Sequence, residues 1–404
     1  LSLPSARLYY DDAYTLSFTA SVIEHITYQD QPAVVLDQSY FYPESGGQPF
    51  DTGFLNETRV VSVQVRESDQ AVLHILEAPL TTNDVQGKID AERRRDLTQH
   101  HTAQHILSAA LEKAANAVTV SVRMSLDTMT IDVNRLPLND SELLQVETLA
   151  NEVVRADRPV RCWFPDPAEI PGLGLRKLPD VAGKLRVVDV AEGFDVTACG
   201  GTHVARTGEI GVIKIIKQEK FKGGARIEFK AAGRALADYA QKNALLLRLA
   251  ADLTTNYTDV PAALEKLREE ARSLRSELKI YKDQALEAEA DSLLAQAETI
   301  GAYRVISRGY ENRALDDVKF LSARLLAQPG MIALLGVAGD KAQLIFGRSE
   351  NVALDVVPAL RAALKELGTD RGGGRPNLAQ GGGVPATLTE IESALRIGKS
   401  VLLS

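Results

Sequence analysis

His101 and His105, in the run His101-Thr-Ala-Gln-His105, lie four residues apart, a spacing that on a helix stacks the two imidazoles on one face. Cys199-Gly-Gly-Thr-His203 offers a second pair, a soft thiolate and an imidazole, around a Gly-Gly turn that frees the backbone to wrap inward. The chain has six histidines and two cysteines, and three of the former with one of the latter fall into these two spaced pairs. Their chemistry is that of zinc, which takes nitrogen and sulfur ligands in sets of four. The expectation is one Zn2+ per chain held by His101, His105, Cys199 and His203; the bland alternative is structural histidines around a small buried thiol. His100 points about 100° away from His101 on a helix and has no partner four residues on. It stands outside the set, as does Cys162.

These residues need elements to hold them, and hydrophobic periodicity divides the chain into four regions. Residues 1–90 read as short strands, at 15–22, 33–37 and 60–65, punctuated by Gly, Pro and Asn, which suggests a small β-barrel. Residues 91–235 mix helices at 96–115 and 141–156 with strands at 185–190 and 212–217, an α+β region that contains both ligand pairs. Residues 236–298 carry two helices, 234–250 and 261–297. In the second, Leu264, Leu267, Ala271, Leu274, Leu278, Tyr281, Ala285 and Ala288 follow a heptad spacing. That seam fits a helical hairpin with the first helix, or a homodimer through the helical or C-terminal region. Residues 299–404 alternate strands at 303–308, 331–337 and 343–346 with helices at 314–327, 355–367 and 387–401, an α/β pattern. The overall class is α+β.

Between the last two helices, Arg371-Gly-Gly-Gly-Arg-Pro-Asn-Leu-Ala-Gln-Gly-Gly-Gly383 packs six glycines into thirteen residues. As a loop, the amides of Gly372, Gly373, Gly374, Gly381, Gly382 and Gly383 can approach phosphate, with Arg371, Arg375 and Gln380 beside them. A mobile surface loop is the plainer reading.

At 404 residues and 45% hydrophobic content the chain can build two or three cored domains. No apolar run is long enough to span a bilayer, and Leu1-Ser-Leu-Pro-Ser5 lacks the basic and apolar parts of a secretory signal. Two cysteines give no disulfide framework, and a thiolate ligand needs a reducing compartment, so a cytoplasmic location is expected. The formal charge of −8 argues against nonspecific coating of nucleic acid, although basic runs exist at Arg93-Arg-Arg95 and at Lys214, Lys217, Lys220, Lys222, Arg226 and Lys230.

The ligand runs, followed by Thr207-Gly-Glu-Ile-Gly211, resemble the editing domain of alanyl-tRNA synthetase and its freestanding relatives, the AlaX group. Phe41-Tyr-Pro-Glu-Ser-Gly-Gly-Gln-Pro-Phe-Asp-Thr-Gly53 is similar to that domain's glycine-rich loop, with Ser45 where the family usually has glycine, and Leu8-Tyr-Tyr-Asp-Asp12 is similar to the freestanding proteins' opening. The glycine-rich run near the C-terminus resembles the module called DHHA1, with Asn377 where an acidic residue is common. The likeness implies a long AlaX form without an aminoacylation domain, or a fragment of a synthetase.

What this resemblance implies is zinc-dependent hydrolysis of the ester joining serine, or glycine, to the terminal adenosine of alanine tRNA. Zinc would orient the substrate or lower the pKa of a bound water. Backbone amides around Gly46, Gly47 and Gln48 would hold the adenosine or an oxyanion, and Ser39, at a place where AlaX relatives often carry threonine, would bond the seryl hydroxyl. The glycine-rich C-terminal run would contact tRNA. Two other readings remain open: a noncatalytic RNA-binding protein with a structural zinc, and a DHH-type phosphodiesterase, which lacks its Asp-His-His run here.

Overall fold

A computed structural model describes residues 5–176 and 184–404, so residues 1–4 of the N-terminal stretch lie outside it. The chain divides into two compact units between Leu249 and Ala250, near the end of one helix.

In the first unit six antiparallel strands close into a barrel in the order Ser17–Tyr28, Gln31–Leu36, Val72–Leu76, Thr58–Val65, Gly53–Leu55, Asp84–Ile89. Alternation sets the two faces: Asp84–Ile89 reads exposed, buried throughout, and Val34, Leu36, Leu55, Val60, Val63 and Val85 fill the interior. The expected barrel is present.

Helix α1, Ala91–Ala115, begins five residues earlier than the periodicity suggested, because Ala91 to Arg95 contains no breaker and follows Asp90 in extended geometry. It ends at Asn116, which takes the left-handed conformation common after a helix C-terminus. Residues His100 to Leu111 are all buried. One side of α1 meets a four-stranded antiparallel sheet, ordered Ile213–Phe221, Gly224–Ala231, Met129–Val133, Thr119–Met124. Helix α2, Asp140–Arg155, begins with a reciprocal capping box between Asn139 and Glu142 and packs on α1. A three-stranded sheet, Val160–Trp163, Val187–Val190 and Asp195–Ala198, delivers the Cys199 segment from its last strand.

Helices α3, Ala232–Asp252, and α4, Val260–Ala295, are both present at close to their expected bounds. Leu264, Leu267, Leu274, Leu278 and Tyr281 are exposed. The far end of α4 is anchored, through Leu286, Ala290 and Leu293, in the core of the second unit.

That unit is built on a six-stranded mixed sheet, Glu298–Ile300, Tyr303–Tyr310, Met331–Val337, Gly339–Arg348, Leu378–Ala386, Gly372–Arg375, in which only the Tyr303–Tyr310 and Met331–Val337 pair is parallel. Helices α5, Leu315–Leu326, α6, Val356–Glu366, and α7, Leu388–Leu403, pack on it. The glycine-rich run is therefore not a loop: it forms an antiparallel hairpin at the sheet edge, with Gly372 opposite Gly381 and Gly374 opposite Ala379. A Cβ on Gly372 would lie 2.7 Å from the Cα of Gly381 and 2.6 Å from Cδ1 of Leu364 on α6. The glycines let that helix approach the sheet. No helix among the described residues is long and apolar enough to cross a membrane.

Candidate metal centre

His101 and His105 project from one face of the buried α1, and the Cys199 segment closes over them. The ligand atoms of His101, His105, Cys199 and His203 all lie within 4.8 Å of one another. Cys199 Sγ is 3.3 Å from His101 Nε2 and 3.3 Å from His203 Nε2. A tetrahedral zinc with ordinary N and S bond lengths sets its ligand atoms roughly 3.3–3.7 Å apart. The donor set and its spacing therefore fit such an ion.

The outer nitrogens of the three rings decide the matter of orientation. His105 Nδ1 lies 2.9 Å from Asp195 Oδ2, a pure acceptor, so Nδ1 carries a proton and Nε2 is the nitrogen that turns inward. His101 Nδ1 lies 2.7 Å from Gln48 Oε1. The Thr202 amide donates to that same oxygen at 3.0 Å, which fixes the Gln48 amide with oxygen toward the ring. Thr102 donates its hydroxyl to Thr98 O, so it accepts from the Val204 amide and from His203 Nδ1, 3.2 Å away. Every imidazole thus presents Nε2 to the common centre.

Charge is tuned in the same sense. Burial opposes a thiolate at Cys199, but the His101 and His203 imidazoles outweigh it and hold the thiol well below its usual range. Burial likewise opposes a cation at His105, yet Asp195 and Cys199 push that ring up to about 9. Burial dominates at His203 and takes it down to about 3. The Cys199 thiolate is favoured by the neighbouring imidazoles, and the His105 cation by Cys199 and Asp195. Asp195 is itself held by Arg176, whose Nε donates at 2.6 Å.

Two features shape the Cys199 segment. Arg186 donates to the carbonyls of Cys199, Gly201 and Tyr10 at 3.0, 2.9 and 2.9 Å, pinning the turn. A Cβ on Gly201 would lie 2.0 Å from His101 Cε1 and 2.7 Å from Gln48 Oε1. Gly201→Ala is therefore expected to displace the His101 ring and to weaken metal binding by at least about tenfold, a misplacement of the kind that costs 10–100-fold when ligand support is lost. A metal titration of that variant checks it, and affinity equal to the parent's would mean the turn can relax without moving His101.

The other expected residues distribute unevenly. Gly46 and Gly47 form the two left-handed positions, φ +57° and +85°, of a tight turn closed by Ser45 and Gln48. No acceptor among the described residues takes their amides, and Gln48 joins this turn directly to His101. Ser39 does not join the cluster: its buried hydroxyl bonds His74 Nε2 at 2.8 Å and accepts from the Phe41 amide. His100 also stands apart, with Nδ1 against Asp96 O and Nε2 accepting from the Ala231 amide.

The basic runs are largely spent on structure. Arg94 is buried in an ion pair with Asp51, and Lys214, Lys217, Arg226 and Lys230 pair with Glu147, Glu219, Asp132 and Asp238. Sequence reasoning missed Thr98, Thr102, Asp195, Arg176 and Arg186. The threonines were findable, since they share the His101–His105 stripe of α1. A cavity of about 380 Å3 opens beside the centre, walled by Tyr14, Arg95, Thr98, Gln99, Val204 and Glu209. Thr98 connects that wall to the cluster through Thr202 and Gln48, at 2.9 Å per step.

Among known proteins, the family described as "Threonyl and Alanyl tRNA synthetase second additional domain" matches residues 185–228, and "tRNA synthetases class II (A)" matches residues 5–93. Alanine–tRNA ligase of Halobacterium salinarum is 35% identical over 98% of this chain, and that of Methanopyrus kandleri 32% identical over 96%. The chain is a relative of the alanine–tRNA ligases. It fits an AlaX-like editing portion of that line, and spans 44% of the length of either ligase. The C-Ala domain of Aquifex aeolicus alanyl-tRNA synthetase aligns with 27% of this chain and 98% of its own, at 22% identity and a TM-score of 0.24, too slight a likeness to argue from.

Proposed function

We propose that this chain hydrolyses the ester linking a wrong amino acid, serine first and glycine second, to the terminal adenosine of alanine tRNA, with Zn2+ as its metal. The observation that carries the reading is the set of three imidazoles, each fixed by an outer hydrogen bond so that Nε2 meets the Cys199 thiolate at one buried point beside an open cavity. Such an ion, when bound, supplies Lewis acidity to an ester carbonyl and its attacking water.

The protein's own groups have separate tasks. The free amides of Gly46 and Gly47 are suited to a developing oxyanion or to the adenosine, since two successive amides in a tight turn can converge on one acceptor. Gln48 ties their position to His101. Tyr14, Gln99, Thr98 and Glu209 make part of the cavity wall polar, which suits a small hydroxylated side chain. Arg371 and Arg375, exposed on the edge hairpin and without an ion pair among the described residues, are suited to the phosphates of the same tRNA.

The test is deacylation of Ser-, Gly- and Ala-tRNA(Ala), with and without a chelator. The serine ester should be cleaved at least about 100-fold faster than the alanine ester, and chelation should stop the reaction. Equal rates on all three would defeat the editing assignment. A second reading has its own support: four protein ligands can complete a tetrahedral zinc, leaving a structural site in an RNA-binding protein. Stoichiometric zinc with no hydrolysis of any ester would favour it.

A further inference from the structure

Along the segment that leads from the metal centre into the barrel, Phe50 and Thr52 are half-buried and Phe54 is exposed, whereas Asp51, Gly53 and Leu55 are buried. Such alternation turns every second side chain toward solvent. The segment starts two residues after Gln48, whose side chain bonds His101, and its two phenylalanines lie no more than about 14 Å apart, the reach of four residues. Each ring carries a guanidinium on its face. Arg93 Cζ is 5.3 Å from the Phe50 ring centre, and Arg59 Cζ is 4.8 Å from that of Phe54.

Strand register completes the patch. Phe54 stands opposite Arg59 on strand Thr58–Val65 and opposite Lys88 on strand Asp84–Ile89, so cation, ring and cation form a row across three strands of the barrel's outer face. Asp90 accepts two bonds from Arg59, at 3.2 and 2.7 Å, which fixes that guanidinium plane beside the ring. Lys88 is exposed. Lys88 and Arg93 form no ion pair among the described residues, and Arg93 donates only its Nε, to the Phe50 carbonyl at 2.9 Å. The two ring–guanidinium stacks suit the flat faces of unpaired bases, and the two free cations suit phosphate. An acidic peptide would meet the cations but leave the stacked planes idle.

We infer that Phe50 and Phe54, with Arg59, Lys88 and Arg93, form a track for the single-stranded 3′ end of an RNA, stacking its unpaired bases and holding its phosphates as the last nucleotide reaches the metal centre. This rests on the tRNA substrate proposed above, and adds the surface that guides the end of that RNA.

Fluorescence anisotropy of the intact chain tests it, with an RNA hairpin that carries a single-stranded 3′ overhang set against the same hairpin with a blunt end. The overhang should bind at least about fivefold tighter. Phe54→Ala should remove about fivefold or more of the overhang's affinity, the low end for one base–aromatic stack, leave the blunt hairpin's affinity unchanged, and be rescued by Phe54→Trp. Lys88→Gln and Arg93→Gln should each reduce the slope of log affinity against log salt by about 0.7, one phosphate contact of a single strand. Phe54 and Lys88 lie on the outer face, so circular dichroism and metal content of their variants should stay at the parent's values. Equal binding of the two hairpins, overhang affinity unmoved by Phe54→Ala, or displacement of the overhang RNA by an acidic peptide as readily as by unlabelled RNA would each overturn the inference. Its failure is separable from that of the editing reading. A chain that cleaves the seryl ester while Phe54→Ala binds the overhang as tightly as the parent loses only the track; one that binds the overhang as expected and cleaves no ester loses only the hydrolysis.

Discussion

Alanine at His101, His105, Cys199 or His203 is expected to lower metal affinity by roughly 100-fold or more each, and to bring ester hydrolysis to the background rate. A four-ligand zinc site contributes ~10–16 kcal/mol, so one ligand carries on the order of 3 kcal/mol. Asp195→Asn, Gln48→Ala and Thr102→Val leave all ligands in place but release a ring; these should cost about 10–100-fold. His100→Ala and Cys162→Ala should keep one metal per chain, although His100→Ala loses the acceptor of the Ala231 amide and should lower stability. Competition with a chelating dye measures all of these on one scale.

Proton and metal compete at this centre. With His105 held protonated up to about pH 9 by Asp195 and Cys199, metal entry below that pH must expel a proton, so apparent affinity falls as pH falls. Undiminished metal in Cys199→Ala would show that the cluster is not the site.

The four clustered residues were legible because their spacings are local: four residues on a helix, and four around a Gly-Gly turn. Their support was not. Asp195 and Arg186 reach the centre only after Val187–Val190 pairs with Asp195–Ala198, a register that nothing in the local sequence announces. Ser39 shows another long-range partner, since the hydroxyl named from the resemblance bonds His74, on a strand 35 residues away. The glycine-rich run misled through composition. Glycine signals loop when exposed and tight packing when a neighbouring helix leans on it, and only the position of Leu364 distinguishes the two. The heptad seam of α4 was visible at once, but periodicity marks which side wants cover, without saying what provides it.

Arg94 shows most sharply how a basic run can conceal structure, and it carries the largest expected effect on stability. Both it and Asp51 are buried. Arg94 also donates to Ala13 O and Tyr40 O, while Asp51 accepts from the Tyr42 amide at 2.7 Å. Asp51→Ala would leave a guanidinium buried with only carbonyl partners, and Arg94→Ala would leave a carboxylate with one amide; each should destabilise by about 3–5 kcal/mol. The double replacement removes both charges, so its cost should fall well short of the sum, and the shortfall measures the coupling. Trp163, the one tryptophan, belongs to the same compact unit, and its fluorescence during urea unfolding reports the transition of that unit. The pair also fastens the first turns of α1 to the segment between Gln48 and the strand Gly53–Leu55. Loosening it should therefore weaken the Gln48–His101 bond, and metal affinity should drop under conditions where the variant is still folded. A variant that unfolds at lower urea yet binds metal as tightly as the parent would separate the two roles and confine the pair to holding the fold.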